Sequence, residues 1–441
     1  MSYASKISND VCDDVAGFRL VHVDSTWSRQ PEDCKCAEGR VSDAKIYESS
    51  TEDGVTWTVV SPIVFTYRVI QSDRLLDPSN DTLMFGHISD PMEIQAIKNN
   101  GKVMKRFIVI DQTVHDLYGS QVAAYFEARG VTYKILHLPT TEENKSMALV
   151  TSILEEVHKF GIGRRTEPII AIGGGVCLDI AGLAASLYRR RTPYIRVPTT
   201  LLAYIDASVG AKTGVNFANC KNKLGSYIPP VATFLDRTFL CTLPRRHISN
   251  GMAEMLKNEG RHLLDSRFQP RINENVHMDA ASVSTRLAIE TMLEELAPNL
   301  WEDDLDRLVD FGHIISPELE MKVLPALLHG EAVNIDMAFM VYVAHERGFL
   351  TEEEKRRIIV CMQSLELPVW HSDCTLDLVQ KSLTDRLKHS GGLLRMPLPT
   401  ALGRARIFND IEDSIVCRAF KRWCKEHCET AMKPQSHNGK A

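Results

Sequence analysis

The order of apolar and polar positions predicts two kinds of region in this chain. Between about Lys105 and Pro244, short apolar runs such as Phe107–Ile110 and Pro168–Ile172 alternate with amphipathic segments such as Ser146–Phe160. This alternation is typical of parallel strands joined by crossover helices. We therefore predict an α/β domain here. Its further elements are strands at Thr56–Ile63, Phe65–Ile70 and Tyr133–Leu138, and a helix at Gly119–Gly130.

After Pro244 the pattern changes to long amphipathic segments, which predict a mainly helical second domain. The predicted helices are Ile248–Lys257, Ser282–Leu296, Asp303–Phe311, His329–Glu346, Glu352–Ser364 and Leu376–Lys388. The organisation expected is a loosely ordered N-terminal arm at 1–50, an α/β domain at 51–244, a helical domain at 245–432 and a frayed tail at 433–441.

Composition narrows the class of protein. The chain has 441 residues, a net charge of -6 and an apolar fraction of 44%, as expected of a globular multidomain protein without a general basic field for nucleic acid. We find no secretory signal and no run of 18 apolar residues, so no membrane span is predicted. The 11 cysteines are an odd number scattered along the chain, which favours reduced thiols and a cytoplasmic enzyme.

A glycine turn joins the strand Pro168–Ile172 to a helix that runs to about Tyr188. Gly173, Gly174 and Gly175 would let a phosphate approach backbone N–H groups at the helix N-terminus. Asp111, at another strand end, could accept a hydrogen bond from a ribose hydroxyl. A tight structural turn and a helix N-cap are the alternatives for these two features.

The stretch Val197–Gly225 is more specific. It places Asp206, Lys212, Asn216 and Lys221 among small residues, where a ligand can come close to the backbone and lysines can supply charge to a phosphate. The alternative for any one of these lysines is a solvated face.

Glu254, His313 and His329 stand out in the helical region. One carboxylate and two imidazoles make the ligand set of an open catalytic zinc site, and Lys257 would share a helix face with Glu254. The spacing lacks the compactness of a single-helix zinc motif, so caps and core histidines remain the alternative at this point.

Together these segments resemble the sugar phosphate cyclases, the family of 3-dehydroquinate synthase. The resemblance runs from about Phe107 to Asp410 and is densest in Gly173–Asp179, Val197–Gly225 and Gly312–Glu320. It implies an NAD-binding α/β domain, a helical metal-binding domain, one NAD⁺ and one divalent ion, zinc or another such as cobalt. It also implies a small sugar phosphate substrate, a carbon–oxygen lyase reaction with transient oxidation by NAD⁺, and no nucleic-acid or membrane partner.

The resemblance further implies residue roles. Nucleotide contacts would come from Asp111, Glu142, Lys145, Gly174, Gly175, Asp179, Thr199, Thr200, Lys221, Phe239 and Thr242. Catalytic or substrate contacts would come from Asp206, Lys212, Asn222, Lys257, Asp310 and Arg190, and the metal ligands would be Glu254, His313 and His329. Arg190 matches an arginine that reaches the phosphate site of a neighbouring subunit, so a homodimer is expected; a solvated basic helix end is the alternative.

The chain departs from dehydroquinate synthase where that enzyme holds a substrate carboxylate with a lysine, an arginine, an asparagine and a second histidine. Counted from His313, those places fall at Met292, Asp306, Asp310 and Pro317. Carboxylates would repel a substrate carboxylate, so we expect a neutral, hydroxyl-rich substrate end with Asp310 accepting hydrogen bonds from it.

This departure resembles the branch that cyclises sedoheptulose 7-phosphate, and most of all the 2-epi-5-epi-valiolone synthases. The alternatives are desmethyl-4-deoxygadusol synthase on the same substrate, a polyol dehydrogenase, and an impaired, non-catalytic variant. The last arises because Asn258-Glu-Gly260 is expected to interrupt the helix directly after Lys257, in a segment that is shorter than the family pattern.

Overall fold

The computed structural model describes residues 19–21, 45–51, 54–60, 65–262 and 280–431, which fall into two compact units, 1–66 and 67–441. In the first unit, β1 (Arg19–Val21), β2 (Lys45–Thr51) and β3 (Gly54–Val60) form an antiparallel sheet in that order. The other residues of the predicted arm and the predicted tail at 433–441 lie outside the described residues.

The second unit begins with an α/β layer. Its strands are β4 (Arg68–Gln71), β5 (Lys105–Asp111), β6 (Thr132–Leu138), β7 (Ile169–Gly173), β8 (Tyr194–Pro198), β9 (Lys212–Phe217), β10 (Cys220–Tyr227) and β11 (Ala232–Leu235). Its helices are α1 (Thr82–Phe85), α2 (Pro91–Asn99), α3 (Gln112–Ala128), α4 (Met147–Phe160) and α5 (Gly175–Leu187). Six strands form a parallel sheet in the order β4-β11-β8-β7-β5-β6, while β9 and β10 form a separate antiparallel pair.

The strand order places a ligand crevice. β5 has β6 on one side and β7 on the other, so the chain changes direction across the sheet between β5 and β7. Ligands of open α/β sheets bind at such a point, beyond the carboxyl ends of the strands. Asp111 ends β5 and Gly173 ends β7, in register with Pro198 at the end of β8. All five residues of β7 are buried, as expected of a strand covered on both faces.

The remainder is mainly helical, which confirms the predicted fold class. It contains α6 (Arg245–His262), α7 (Ala280–Leu296), α8 (Ser316–Val323), α9 (His329–Glu346), α10 (Glu352–Ser364), α11 (Leu376–His389), the hairpin β12 (Met396–Ala401) and β13 (Arg404–Phe408), and α12 (Asp413–Ala431). Helix α9 runs through the core with every residue from Gly330 to Ala344 buried. The boundary at Pro244 stays a prediction.

Three predicted elements need correction. Asp303–Phe311 is not a helix: only a short 3-10 turn at Leu308–Asp310 forms, because Asn299 bonds to both backbone groups of Asp304 and favours a turn. The interruption predicted at Asn258-Glu-Gly260 is wrong as well, since α6 continues to His262; one glycine costs a helix only about 1 kcal/mol. Helix α3 begins seven residues earlier than predicted, at Gln112, where Asp111 caps it.

Across the parts of the chain that the structure describes, none of the helices combines the length and the apolar character that a bilayer crossing requires.

Candidate active site

Three side chains from separate elements meet around one point. Glu254 lies fully buried on α6, His313 lies in the loop before α8, and His329 is the first residue of α9. Glu254 Oε1 is 3.5 Å from His313 Nε2 and 3.7 Å from His329 Nε2. One ligand atom from each residue lies within 4.8 Å of the other two. The fold thus brings together the three residues that the sequence proposed as metal ligands.

Hydrogen bonds on the far side of each imidazole direct its free nitrogen to this point. His313 Nδ1 faces the Phe311 carbonyl oxygen at 3.2 Å, and His329 Nδ1 faces Glu320 Oε2 at 2.8 Å. The Phe311 carbonyl can only accept, so we assign the hydrogen of His313 to Nδ1, which leaves its Nε2 lone pair available to a cation. His329 Nδ1 lies between the Glu320 carboxylate and the Lys221 ammonium, and donation to Glu320 would leave its Nε2 lone pair available as well. Burial, with Lys257 and His329 nearby, holds the pKa of His313 well below its usual value, so this ring is neutral.

The carboxylate also fits a cation. Glu254 Oε1 is buried and accepts no hydrogen bond from any described residue, which is costly for an anionic oxygen unless a cation lies beside it. Burial raises the pKa of Glu254, but Lys257 and His329 outweigh this effect and lower the pKa below its usual value. Two imidazole nitrogens and a carboxylate are the donors of a three-ligand catalytic zinc site with an open position.

A buried lysine and a partly buried aspartate adjoin the three ligands. Lys257 Nζ contacts Glu254 Oε2 and is 3.5 Å from Asp206 Oδ2. Burial lowers the pKa of Lys257, but Glu254 and Asp206 outweigh it and raise the pKa above its usual value. Asp206 belongs to a π-helical turn, Ala203–Ala207, a geometry often found at functional sites. Burial and the neighbouring Glu254 carboxylate raise the pKa of Asp206.

The crevice at the sheet edge carries several predicted nucleotide residues. Asp111 Oδ1 accepts from the backbone N–H groups of Thr113 and Val114, and Oδ2 accepts from the Thr140 hydroxyl. Asp111 is therefore the N-cap of α3, which is the alternative that the sequence left open for it. Gly174 is the N-cap of α5 and supplies no side chain to its free N–H groups, while a Cβ on Gly173 would lie 2.6 Å from Cys177 Cβ. The glycines thus serve a tight turn and also leave the helix N-terminus accessible.

A second polar cluster lies beside this crevice. Lys145 Nζ donates to Asp179 Oδ2 and to Asn222 Oδ1, both at 2.7 Å. Burial lowers the pKa of Lys145, but the carboxylates of Asp179 and Glu142 outweigh it and the pKa is raised. Asn216 Nδ2 donates to Glu142 Oε1 at 2.9 Å, and its Oδ1 accepts from the Asn222 backbone N–H. Five residues from three separate segments of the sequence are therefore one hydrogen-bonded group.

Lys221 belongs with the metal ligands in the structure. Its ammonium contacts Glu320 and lies 2.9 Å from His329 Nδ1, so one carboxylate serves both a lysine and a ligand histidine. Burial raises the pKa of Glu320, but Lys221 and His329 outweigh it and lower the pKa well below its usual value. Glu320 was not given a role from the sequence. Its position seven residues after His313, on the α8 helix, is the sequence feature that could have identified Glu320 as a residue of the site.

The other predicted nucleotide residues lie at or near the sheet edge. The Thr199 backbone N–H donates to the Gly173 carbonyl, and Thr200 Oγ1 accepts from the Ala203 N–H. Phe239 is buried in the core against Tyr118, whose hydroxyl is 3.0 Å from Thr242 Oγ1. Their contact with a nucleotide stays a prediction, as does that of Gly175, whose position begins α5.

The surroundings of Asp310 differ from those expected from the sequence. Its two oxygens are held by Arg307 and Arg386, at 2.8 Å and 2.7 Å, although the sequence argument treated it as an isolated acidic replacement. Burial raises the pKa of Asp310, but the two guanidinium groups outweigh it and lower the pKa. Arg307 also contacts Glu302, which pairs with Lys212 as well, so three cations and two carboxylates form one group. The expected neutral, hydroxyl-rich substrate end stays a prediction.

Two predicted residues make no direct contact with the three ligands among the interactions of the described residues. Lys212 Nζ pairs with Glu302 Oε1 at 2.6 Å, at one end of the group that contains Asp310. Arg190 is exposed, in a run of three arginines that all have positive φ. Two other positions correspond to places where dehydroquinate synthase holds a substrate carboxylate. Met292 is buried with Val209, and Asp306 is largely exposed near Arg395.

Comparison with known proteins decides the family. Residues 135–250 match the model described as 3-dehydroquinate synthase N-terminal, and residues 251–389 match the one described as 3-dehydroquinate synthase C-terminal. The chain is 45% identical to the 2-epi-5-epi-valiolone synthase of Streptomyces hygroscopicus subsp. jinggangensis (strain 5008), over 83% of this chain and 89% of that one. The chain belongs to the 3-dehydroquinate synthase-like family of sugar phosphate cyclases.

Two further relatives place the chain within the sugar phosphate cyclases. The solved structure of ValA, a 2-epi-5-epi-valiolone synthase from the same Streptomyces strain with NAD⁺ and Zn²⁺ bound, matches at a TM-score of 0.73 and 43% identity, covering 84% of this chain and 100% of that one. The demethyl-4-deoxygadusol synthase of Trichormus variabilis (strain ATCC 29413 / PCC 7937) is 36% identical, over 69% of this chain and 77% of that one. The valiolone synthase of Streptomyces hygroscopicus is therefore more similar to this chain than that demethyl-4-deoxygadusol synthase is.

Proposed function

We propose that this sugar phosphate cyclase is a 2-epi-5-epi-valiolone synthase, which converts sedoheptulose 7-phosphate to a carbocycle with loss of phosphate. The observation that carries the proposal is the convergence of Glu254 Oε1 with the Nε2 atoms of His313 and His329, in a chain 45% identical to such a synthase. When bound, a divalent metal would polarise a substrate hydroxyl and NAD⁺ would accept and return a hydride, so the net reaction involves no oxidation.

The chain's own groups suit this chemistry. Lys257 is a buried, protonated ammonium beside the ligand set, and it can hold an anionic substrate oxygen close to the metal ligands. Asp206 lies 3.5 Å from that ammonium, where it can keep the lysine oriented and exchange a proton with substrate. Asp310, ionised and held by two arginines, retains lone pairs that can accept from a substrate hydroxyl.

The nucleotide would lie at the crevice between β5 and β7. In this proposal Asp111 faces the ribose and the α5 N-terminus at Gly174 and Gly175 faces the phosphates. The Lys145–Asp179–Asn222 group closes the nicotinamide end, next to Lys221 and the metal ligands. The crevice at the strand order reversal and the free helix N-terminus support this placement.

Lys145→Met should weaken NAD⁺ binding by at least about tenfold, because it removes the donor that joins Asp179 to Asn222. Lys134→Met is the matched control, since Lys134 forms a partly exposed ion pair with Glu156 on the far side of α4. Calorimetric titration with NAD⁺ measures both. Equal affinity in the two variants would contradict the placement of Lys145.

Phosphate release without net reduction of NAD⁺ distinguishes the cyclase from a polyol dehydrogenase. With sedoheptulose 7-phosphate, NAD⁺ and zinc, we expect inorganic phosphate to accumulate while the absorbance of NADH stays at its starting level, because the hydride is returned. NADH rising in step with substrate loss would instead support the dehydrogenase. Absence of bound metal and of turnover would support an impaired variant.

We also propose a cytoplasmic homodimer. The argument is that Arg190, which is exposed in this chain, matches an arginine acting across a subunit interface. Sedimentation velocity measures the assembly, and an active monomer would remove the argument.

A further inference from the structure

The metal ligands on α6 and α9 are joined by contacts that lie outside the ligand set. Arg246, Asn250 and Glu254 follow one another at intervals of four along α6 and so share one face of it. Arg246 donates from Nε and Nη2 to the two oxygens of Glu331, at 2.6 Å and 2.7 Å. Asn250 Oδ1 accepts from the Gly330 backbone N–H at 2.7 Å. We call Arg246, Asn250, Gly330 and Glu331 the helix clasp.

The clasp demands a very close approach of the two backbones. A Cβ on Gly330 would lie 2.0 Å from the Asn250 carbonyl oxygen, a distance that backbone atoms cannot relieve by a side-chain movement. Glycine at this position lets α9 begin directly against α6. The Asn250 side chain then fixes the register of the two helices, because its Oδ1 accepts a hydrogen bond from the Gly330 N–H, one of the free N–H groups in the first turn of α9.

His329 is enclosed by the clasp. It lies between Leu328, whose N–H donates to Glu331 Oε2 at 2.8 Å, and Gly330, whose N–H donates to Asn250. Both peptide neighbours of the ligand are therefore anchored to α6 or to its partner Glu331. Glu254, one turn beyond Asn250, supplies the ligand atom 3.7 Å from His329 Nε2.

We propose that the helix clasp, and Asn250 above all, positions His329 against Glu254 and so sets the affinity and geometry of the metal site. The inference rests on the proposed metal site but concerns residues to which neither the sequence nor the comparisons gave a role. Asn250 is a positioning residue here: it acts on the metal through the peptide that carries His329. Loss of such support typically weakens metal binding by about 10–100-fold.

Cobalt titration of the metal-free full-length protein tests this, because the visible absorption of Co²⁺ reports both affinity and ligand geometry. Asn250→Ala should weaken Co²⁺ binding by about 10–100-fold and shift the absorption bands. Asn250→Asp keeps the Oδ acceptor, so its affinity for Co²⁺ should stay within about threefold of that of the wild type. Ser249→Ala is the matched control, since it removes a neighbouring buried hydroxyl that makes no hydrogen bond in the described part of the chain.

A merely structural role would give a different result. In that case Asn250→Ala would lower the melting temperature of the metal-free protein while leaving the cobalt spectrum and affinity unchanged, which would overturn the inference. If Asn250→Ala does not fold, Arg246→Met carries the test, and unchanged cobalt affinity in that variant would overturn the inference. Failure of the wild-type protein to bind cobalt would overturn the proposed metal site itself, and the clasp's role with it.

Discussion

His329→Ala should yield a folded protein that retains no stoichiometric metal and turns over at least about 10³-fold more slowly than wild type. The expected size follows from losing several kcal/mol of charge stabilisation at the reacting hydroxyl. The fold should survive because the His329 side chain is partly exposed, and its hydrogen-bond partner Glu320 keeps the contact with Lys221.

The control for this variant is His158→Ala, which removes an exposed imidazole from α4. Elemental analysis of metal after dialysis, together with the rate of phosphate release, measures both proteins. Full zinc occupancy in His329→Ala would contradict the ligand assignment, even if activity were lost.

Lys257→Met should be the most damaging exchange of a charged side chain in the site. Removing the ammonium leaves the buried Glu254 carboxylate next to that of Asp206 without a cation between them, and breaking a buried pair such as Lys257–Glu254 costs about 3–5 kcal/mol. Turnover should fall by about 10²–10³-fold, because a fixed charge that stabilises the developing anion is gone. Excess zinc should restore part of the lost stability, since a cation beside Glu254 replaces part of the missing charge.

Lys381→Met is the matched control, because Lys381 forms an exposed ion pair with Glu318 that contributes only about 0–1 kcal/mol. Thermal melting with and without zinc, and the rate of phosphate release, compare the two variants. Equal melting temperatures and equal rates would contradict the role given to Lys257.

The sequence predicted the parts of the fold that depend on local patterns. Apolar runs such as Ile169–Gly173 and the long amphipathic segments after them carry their own periodicity, and the three proposed metal ligands stand in motifs that resemble the family. What the sequence did not predict depends on tertiary contacts. Asp303–Phe311 has helical spacing, but Asn299 turns the backbone there.

The composition of the site shows the same limit. Arg386 reaches Asp310 from 76 positions along the chain, and Asn250 reaches Gly330 from 80. Pairs so far apart in the chain leave no local sequence pattern from which the contact could be predicted. Counting from His313 singled out Asp310 but could not reveal the arginines that pair with it. The neutral substrate end stays a prediction, because Asp310 belongs to a group of five paired charges and does not stand alone.

The most direct test of the proposed function is product analysis with two substrates at neutral pH. With NAD⁺ and zinc present, sedoheptulose 7-phosphate should give phosphate and 2-epi-5-epi-valiolone, and the heptulosonate substrate of dehydroquinate synthase should give no product. The reason is that the Lys212, Arg307 and Arg386 cations are each already paired with Glu302 or Asp310, which leaves no free cation in that group for a substrate carboxylate. A demethyl-4-deoxygadusol product would move the chain to the sister branch. Turnover of the heptulosonate at a comparable rate, or of neither substrate, would contradict the proposal.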